Sequence, residues 1–298
     1  MKQHHLKALL AVVRCGTIRA AARQLSLSQA ALTKALKELE LLVGTPLLAR
    51  SYRGVQLTEA GRILHDRARI AEHQLEIAQE EIKALSGWGF QRISVGVTPM
   101  VALAVLADTW KHFRRLRPDV RLSLQEGLPA VVVPALMDGA LDFAVAAAMP
   151  GRIPDGLDFE LLVHTDFCVV GRRGHPRAAS HMLEDLLDCE WILSMHAGSY
   201  SEYVLKWIQS QGHAVPQKIL DCSSMFMNWQ LIRHTNMLTV WPRAVFDVSV
   251  GGGLSRDLQQ FPVELPQAPL GLLRLKQAPL SAAAGTLADL FRLHLGRA

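Results

Sequence analysis

The chain has few cysteines, few charges and no long apolar run, and each scarcity excludes a class of protein. Cys15, Cys168, Cys189 and Cys222 are its four cysteines in 298 residues, and they lie far apart. No two form a C-x-x-C pair, so neither a zinc ligand set nor a disulfide framework is expected. They read as small buried hydrophobes, with a redox pair of Cys168 and Cys189 as the alternative. Charges or turn residues interrupt every apolar stretch before it reaches the length of a membrane span. Met1-Lys2-Gln3-His4-His5 is not followed by the apolar core and cleavage site of a secretory signal, so the cytoplasm is the expected compartment. The G-x-S-x-G, H-E-x-x-H, P-loop and G-x-G-x-x-G patterns are missing. Gly251-Gly252-Gly253 lacks a following Lys-Ser/Thr and reads as a loop, and His196 near Ser199 is too thin a constellation for a hydrolase. No enzyme activity, metal or cofactor is therefore expected.

Half of the residues are hydrophobic and 20% are charged, a globular composition whose length suits two or three domains. The net charge of +5 is unevenly placed. Residues 1–60 carry nine Lys+Arg against three acidic residues, a net of +6, whereas the other 238 carry 23 against 24. A compact basic module on a near-neutral body suggests a polyanion partner reached by one end of the chain.

Leu6, Leu9, Leu10 and Val13 repeat at helical spacing up to Gly16. Thr17 can cap a short alanine-rich helix over 18–25, and Ser28 can cap a third over 29–43. The inward stripe of that third helix is Leu32, Leu36, Leu39 and Val43, and its other face shows Gln29, Thr33, Lys34 and Lys37. Two helices joined by a short turn, the second polar and basic on its outer face, describe a helix-turn-helix. Gly44 ends it, and Arg53-Gly54 reads as the tip of a two-stranded wing.

At this point the chain resembles the LysR-type transcriptional regulators. The residues that carry the likeness are Gly16-Thr17, Ala20-Ala21, Leu25, Ser28 through Thr33, Leu39-Glu40, Gly44 through Arg50, and Leu57 through Gly61. Two departures stand out: Ala30 replaces the family's usual proline and Leu48 its usual phenylalanine, and both keep the local physics. The resemblance implies that the third helix enters the major groove of an operator in double-stranded DNA. Ser28, Gln29, Ala31, Thr33, Lys34 and Lys37 become the candidate contacts, with Arg53 from the wing and Arg50 and Thr17 near phosphate. Gln29 suits a bidentate pairing with adenine, and Ala31 a thymine methyl.

From Thr58 a long helix is expected to about residue 85. Leu64, Ala68, Ala71, Leu75, Ala78, Ile82 and Leu85 step by alternating fours and threes, the seam of a coiled coil. A narrow stripe suits a partner helix, so a homodimer is expected, and the family likeness suggests a homotetramer and a contact with RNA polymerase. Ser86-Gly87-Trp88-Gly89 is the expected hinge.

Beyond Arg92, short β runs alternate with helices, an α/β organisation with a mainly parallel sheet. The fold class is thus multidomain: a winged helix-turn-helix (1–58), a linker helix and hinge (59–88), and a two-lobed α/β domain similar to periplasmic-binding-protein-like effector domains (89–298). Lobe I is expected at about 89–162 and 268–298, and lobe II at about 163–267. Carried over by position, the effector wall comprises Thr98, Pro99, Met100, Gly127, Leu128, Pro129, Ala146, Ala147 and Met149. The second lobe adds Met195, His196, Gly198, Ser199, Tyr200, Ser223, Ser224 and Met225. Several begin helices, whose free N–H groups and hydroxyls favour an anionic head, while the methionines suit an apolar tail. Simple capping or core packing is the competing role for each. A small organic acid is expected, an aromatic sulfonate or carboxylate, and the likeness extends to regulators of aromatic sulfonate (toluenesulfonate) degradation. A catabolic operon would be the target. An architectural DNA binder with a vestigial cleft is the alternative.

Overall fold

The structure, a computed structural model, describes residues 1–51, 54–85, 90–149, 151–247, 255–276 and 278–296. It divides into two compact units, Met1–Ile82 and Lys83–Ala298.

In the first unit, α1 (Gln3–Cys15) stops where Gly16 turns left-handed at φ +70° and donates its N–H to the Val12 carbonyl. Thr17 caps α2 (Ile18–Gln24) by accepting from the Ala20 amide, and Ser28 caps α3 (Gln29–Val43) by accepting from Ala31. Leu32, Leu36 and Leu39 of α3 meet Leu9, Val12, Ala21 and Ala22 in one core. Val43, placed by its spacing on the inward stripe, is instead 42% exposed, because Gly44 ends the helix at φ +77° one residue later. The wing consists of β1 (Leu48–Ser51) and β2 (Gly54–Leu57), antiparallel with Leu48 opposite Leu57. Glu40 of α3 fastens the wing: one of its carboxylate oxygens accepts from the amides of Leu47 and Leu48.

The linker helix α4 (Glu59–Leu85) has 27 residues, about 40 Å at 1.5 Å per residue. Along its seam Ala68 is buried, whereas Leu75 and Ile82 are half or more exposed. The hinge at 86–89 lies outside the described residues.

The second unit alternates strands and helices. In chain order they are β3 (Arg92–Val97), α5 (Pro99–Ala104), α6 (Leu106–Leu116), β4 (Arg121–Glu126), α7 (Pro129–Met137), β5 (Phe143–Ala147) and β6 (Leu157–Thr165). β7 (Phe167–Arg172), β8 (Glu190–Leu193), α8 (Tyr200–Ser210), β9 (Lys218–Asp221), α9 (Met225–His234) and β10 (Thr239–Pro242) follow. The last are α10 (Ala244–Asp247), β11 (Leu258–Phe261), β12 (Ala268–Leu275) and α11 (Ala282–Leu295). Val105, at φ −132°, separates α5 from α6.

The first lobe holds a five-stranded sheet in the order β4-β3-β5-β12-β6. Its sheet is mixed rather than mainly parallel. β3 runs parallel to β4 and β5, but β12 returns antiparallel between β5 and β6. The second lobe is built on β10-β7-β11, all antiparallel, and a parallel β8-β9 pair. Each lobe has its own core, Phe113, Phe143, Leu272 and Phe291 in the first and Leu186, Trp191, Ile208 and Phe261 in the second.

The chain crosses between lobes twice. β6 ends at Thr165 and β7 begins at Phe167, so the outward crossing is the single residue Asp166, a little past the expected boundary near 163. The return runs over 262–267, between β11 and β12. Asp166 ties the two together, accepting from the Gln267 side-chain amide through its carboxylate (2.8 Å) and from the Arg243 N–H through its carbonyl (2.8 Å).

His175 stands in the second lobe with both ring nitrogens in use. Nδ1 accepts from the Arg177 N–H, and Nε2 lies 2.9 Å from the Asn236 carbonyl and edge-on to Phe261. An Nδ1 that accepts cannot carry a proton, and burial, opposed by the Asn236 bond, holds the pKa below its ordinary value. As pH falls through about 6.5, the unfolded chain therefore takes up a proton before the folded one does. Wild type should lose stability over that window, and His175→Gln, which keeps a donor and an acceptor, should lose less. Urea midpoints measured from pH 7.5 to 5.5 check this: parallel losses in both proteins would contradict it.

Candidate nucleic-acid interface and effector cleft

Ser28, Gln29, Ala31, Lys34 and Lys37 are exposed on α3, with Thr33 half-buried among them. Gln29, Thr33, Lys34 and Lys37 line a shallow open groove along that helix. Lys34 approaches Glu38 to only 3.9 Å with most of its side chain in solvent. Such an ion pair is worth about 0–1 kcal/mol and leaves the ammonium available. The hydroxyls of Thr17 and Ser28 accept capping bonds and keep their protons for donation. Arg50 pairs through its backbone with Val55 in the wing. Arg53 lies outside the described residues.

In the second unit a cavity of about 150 Å³ opens between the lobes. The first lobe supplies Thr98, Pro99, Met100, Leu128, Pro129, Ala147 and Met149, all expected from the sequence. The second lobe supplies the expected Gly198, Ser199, Tyr200, Ser223, Ser224 and Met225.

Four expected wall residues stand elsewhere. Ala146 alternates with Ala147 along β5 and faces the opposite side of the sheet, fully buried. Gly127 is packed onto α7, where a Cβ would sit 2.8 Å from Val131. Met195 and His196 turn out to solvent: the Met195 amide donates to Asp221, and His196 pairs with the Ser194 hydroxyl.

Other wall residues were not anticipated. Thr165 and Phe167 flank the outward crossing, and Thr239, Trp241 and Pro242 come from β10. Ser194, Ser201, Cys222, Asn228, Val240, Val245 and Leu270 complete the wall. The position of β10 carried a signal, since ligands of α/β sheets gather at the carboxyl ends of strands.

The wall is mostly apolar and uncharged: among the described residues that line it there is no Asp, Glu, Lys, Arg or His. Most of its hydroxyls are committed. Ser199 accepts from the Glu202 amide and donates to the Ser194 carbonyl, and Ser224 accepts from Met227. Thr239 donates to the Ile192 carbonyl and accepts from Asn228, whose own carbonyl oxygen is buried and unpaired. Tyr200 stacks on Phe167 with ring centroids 3.4 Å apart and donates to the Pro266 carbonyl; burial pushes its phenol pKa far up, so it stays neutral. Thr98 differs. It begins α5 with N-cap geometry, but its hydroxyl makes no capping bond. None of the four cysteines is in a disulfide; Cys168 is buried in the core of the second lobe and Cys222 lies on the cavity wall.

Comparison with known proteins agrees with this division of the chain. A family model described as the LysR substrate binding domain matches residues 90–296, and one for bacterial regulatory helix-turn-helix proteins of the lysR family matches residues 3–62. The transcriptional regulator TdcA of Escherichia coli K12 is 28% identical over 97% of this chain and 92% of its own. GbpR of Azospirillum brasilense is 27% identical over 96% and 84%. Among solved structures, a full-length OxyR from Pseudomonas aeruginosa, carrying one cysteine-to-aspartate substitution, superposes with a TM-score of 0.67 at 21% identity, covering 98% of each chain. Full-length CbnR in complex with its target DNA does so at 0.62 and 19%, covering 100% of this chain and 99% of its own. At these identities the structural likeness concerns the fold.

Proposed function

Because the chain belongs to the LysR family, whose members are DNA-binding transcriptional regulators with an effector-binding domain and not enzymes, we propose that α3 reads its operator and that the cleft senses a small organic acid. The exposed polar and basic face of α3 carries this reading. Gln29 and Ala31 meet base edges, Thr33, Lys34, Lys37 and Ser28 flank them, and Thr17, Arg50 and Arg53 hold phosphates. The linker helix joins two copies through Leu75, Ile82 and their seam partners, and two such dimers form a homotetramer that works with RNA polymerase in the cytoplasm. An aromatic sulfonate or carboxylate is the effector, and a catabolic operon the target. No other cofactor is required.

The two kinds of contact fail differently. On operator DNA selected by the wild-type protein from random sequence, Gln29→Ala should cost about 1–3 kcal/mol and relax preference at one base. Lys34→Ala should weaken binding to all sequences alike and lower the salt slope by about 1. Gel-shift titrations over a range of salt measure both; unchanged affinity in both variants would remove α3 from the interface.

A further inference from the structure

The uncharged wall of the main cavity raises a question that the helix termini do not answer: where an acidic effector places its charge. A second cavity of about 260 Å³ adjoins the first and shares Pro129, Ala147, Met149 and Gly198 with it. Arg152 is the one charged residue among the described residues of its wall. We infer that this second cavity is the anion subsite of the effector cleft, and that Arg152 binds the carboxylate or sulfonate of an aromatic acid whose ring lies in the main cavity.

Size and position agree with this division. The main cavity, at about 150 Å³, matches the volume that holds one benzene ring, and Phe167, Trp241 and Met225 give it apolar faces. Met149 and Gly198 stand on the boundary between the two spaces. Gly198, at φ +77°, has no side chain to close the passage, and the place its Cβ would occupy lies 3.8 Å from the Arg152 Cβ.

Arg152 is also free to change partners. It belongs to the segment between β5 and β6 in the first lobe, and its guanidinium donates to Glu202 of α8 in the second lobe at 2.8 Å. Glu202 does not depend on it. The same carboxylate takes the Lys206 ammonium and the Gly198 N–H, and these bonds, Lys206 foremost, hold its pKa below the ordinary value. Nearly half of the Arg152 side chain is in solvent, where an ion pair contributes little. A ligand carboxylate or sulfonate accepting both guanidinium donors is the stronger partner. An acid would therefore take Arg152 from Glu202 and replace a bond between lobes with a bond through the ligand.

This inference rests on the cleft being the effector site, and the test separates the two. Calorimetry on the full-length protein would use benzoate, 4-toluenesulfonate and benzamide, the neutral counterpart of benzoate in shape. Wild type should bind the acids more tightly than benzamide by about tenfold or more, the worth of a charge-assisted hydrogen bond. R152Q should reduce the acids to the level of benzamide and leave benzamide unchanged. E202Q, which releases Arg152, should retain or raise acid affinity. Acid binding by R152Q equal to wild type, or its loss in E202Q with benzamide binding intact, would overturn the role of Arg152 and leave the cleft reading standing. Wild type that binds acid and amide alike would likewise overturn the role of Arg152 alone, and wild type that binds none of the three would overturn both.

Discussion

Replacing Gly61 by alanine should unfold the helix-turn-helix unit, although the same change in most helices stabilises. Gly61 is the third residue of α4, and it is buried. The start of that helix lies flat on the backbone before the wing. The Thr58 amide donates to the Leu47 carbonyl, and the Thr58 hydroxyl donates to Pro46 and accepts from Gly61. A Cβ on Gly61 would stand 2.0 Å from the Leu47 oxygen and 2.9 Å from its carbon. Neither atom can rotate aside, so the helix must lift and break those bonds. Overpacking costs about 1–3 kcal/mol and the two lost bonds to Pro46 and Leu47 about 1 each, a total near 3–5 kcal/mol. Gly285→Ala in α11 is the control: its Cβ would meet nothing within 4 Å, and helix propensity predicts a gain of up to about 1 kcal/mol. Denaturant titration of both variants, with operator binding as the functional readout, decides the matter. A stable Gly61→Ala with normal operator affinity would contradict the packing described.

Gly271→Ala should do the same to the effector unit. Gly271 sits in β12, where the pairing with β6 shifts register between Leu270 and Gly271. A Cβ there would meet the Glu160 carbonyl oxygen at 2.2 Å and the Phe159 ring at 2.5 Å. β6 cannot easily yield, because both oxygens of the Glu160 carboxylate are held by Arg292 of α11 at 2.6 and 2.7 Å. The cost again exceeds about 3 kcal/mol, this time in a central strand between β5 and β6. Limited proteolysis of the full-length variant should cut within 90–296 while residues 1–60 remain protected. A wild-type cleavage pattern would rule the prediction out.

Much of the first unit was legible because its boundaries are chemical. Ser28 and Gly44 fix α3 at both ends, one by an oxygen that accepts an amide and the other by a conformation that glycine tolerates. Val43 escaped the pattern because periodicity does not say where its own helix stops facing the core. In the second unit no glycine or proline stands beside Asp166 to mark the change of lobe. The change of lobe was therefore expected near 163, inside β6, and Thr165 and Phe167 were missed as wall residues. Ala146 and Gly127 were expected in the wall because position along the chain was known and the facing of the strand was not. The expected anion site at helix termini meets a similar obstacle: Ser199 and Ser224 do cap helices, and capping already occupies their oxygens. No local pattern announces that Arg152 reaches across to Glu202, fifty residues away.

The crossing at Asp166 has a further consequence for signalling. Two lobes joined by one residue in one direction and six in the other form a lever with a very short pivot. A shift of a few degrees at the cleft therefore need not dissipate in slack chain. Asp166 accepts from Gln267 and Arg243, and the stacked, hydrogen-bonded Tyr200 fastens Phe167 to Pro266. The pivot thus carries its own brake. Effector binding can reset the angle between lobes only by the difference in its affinity for the two settings. A ligand that takes over one bond between the lobes shifts that balance with very little material displaced.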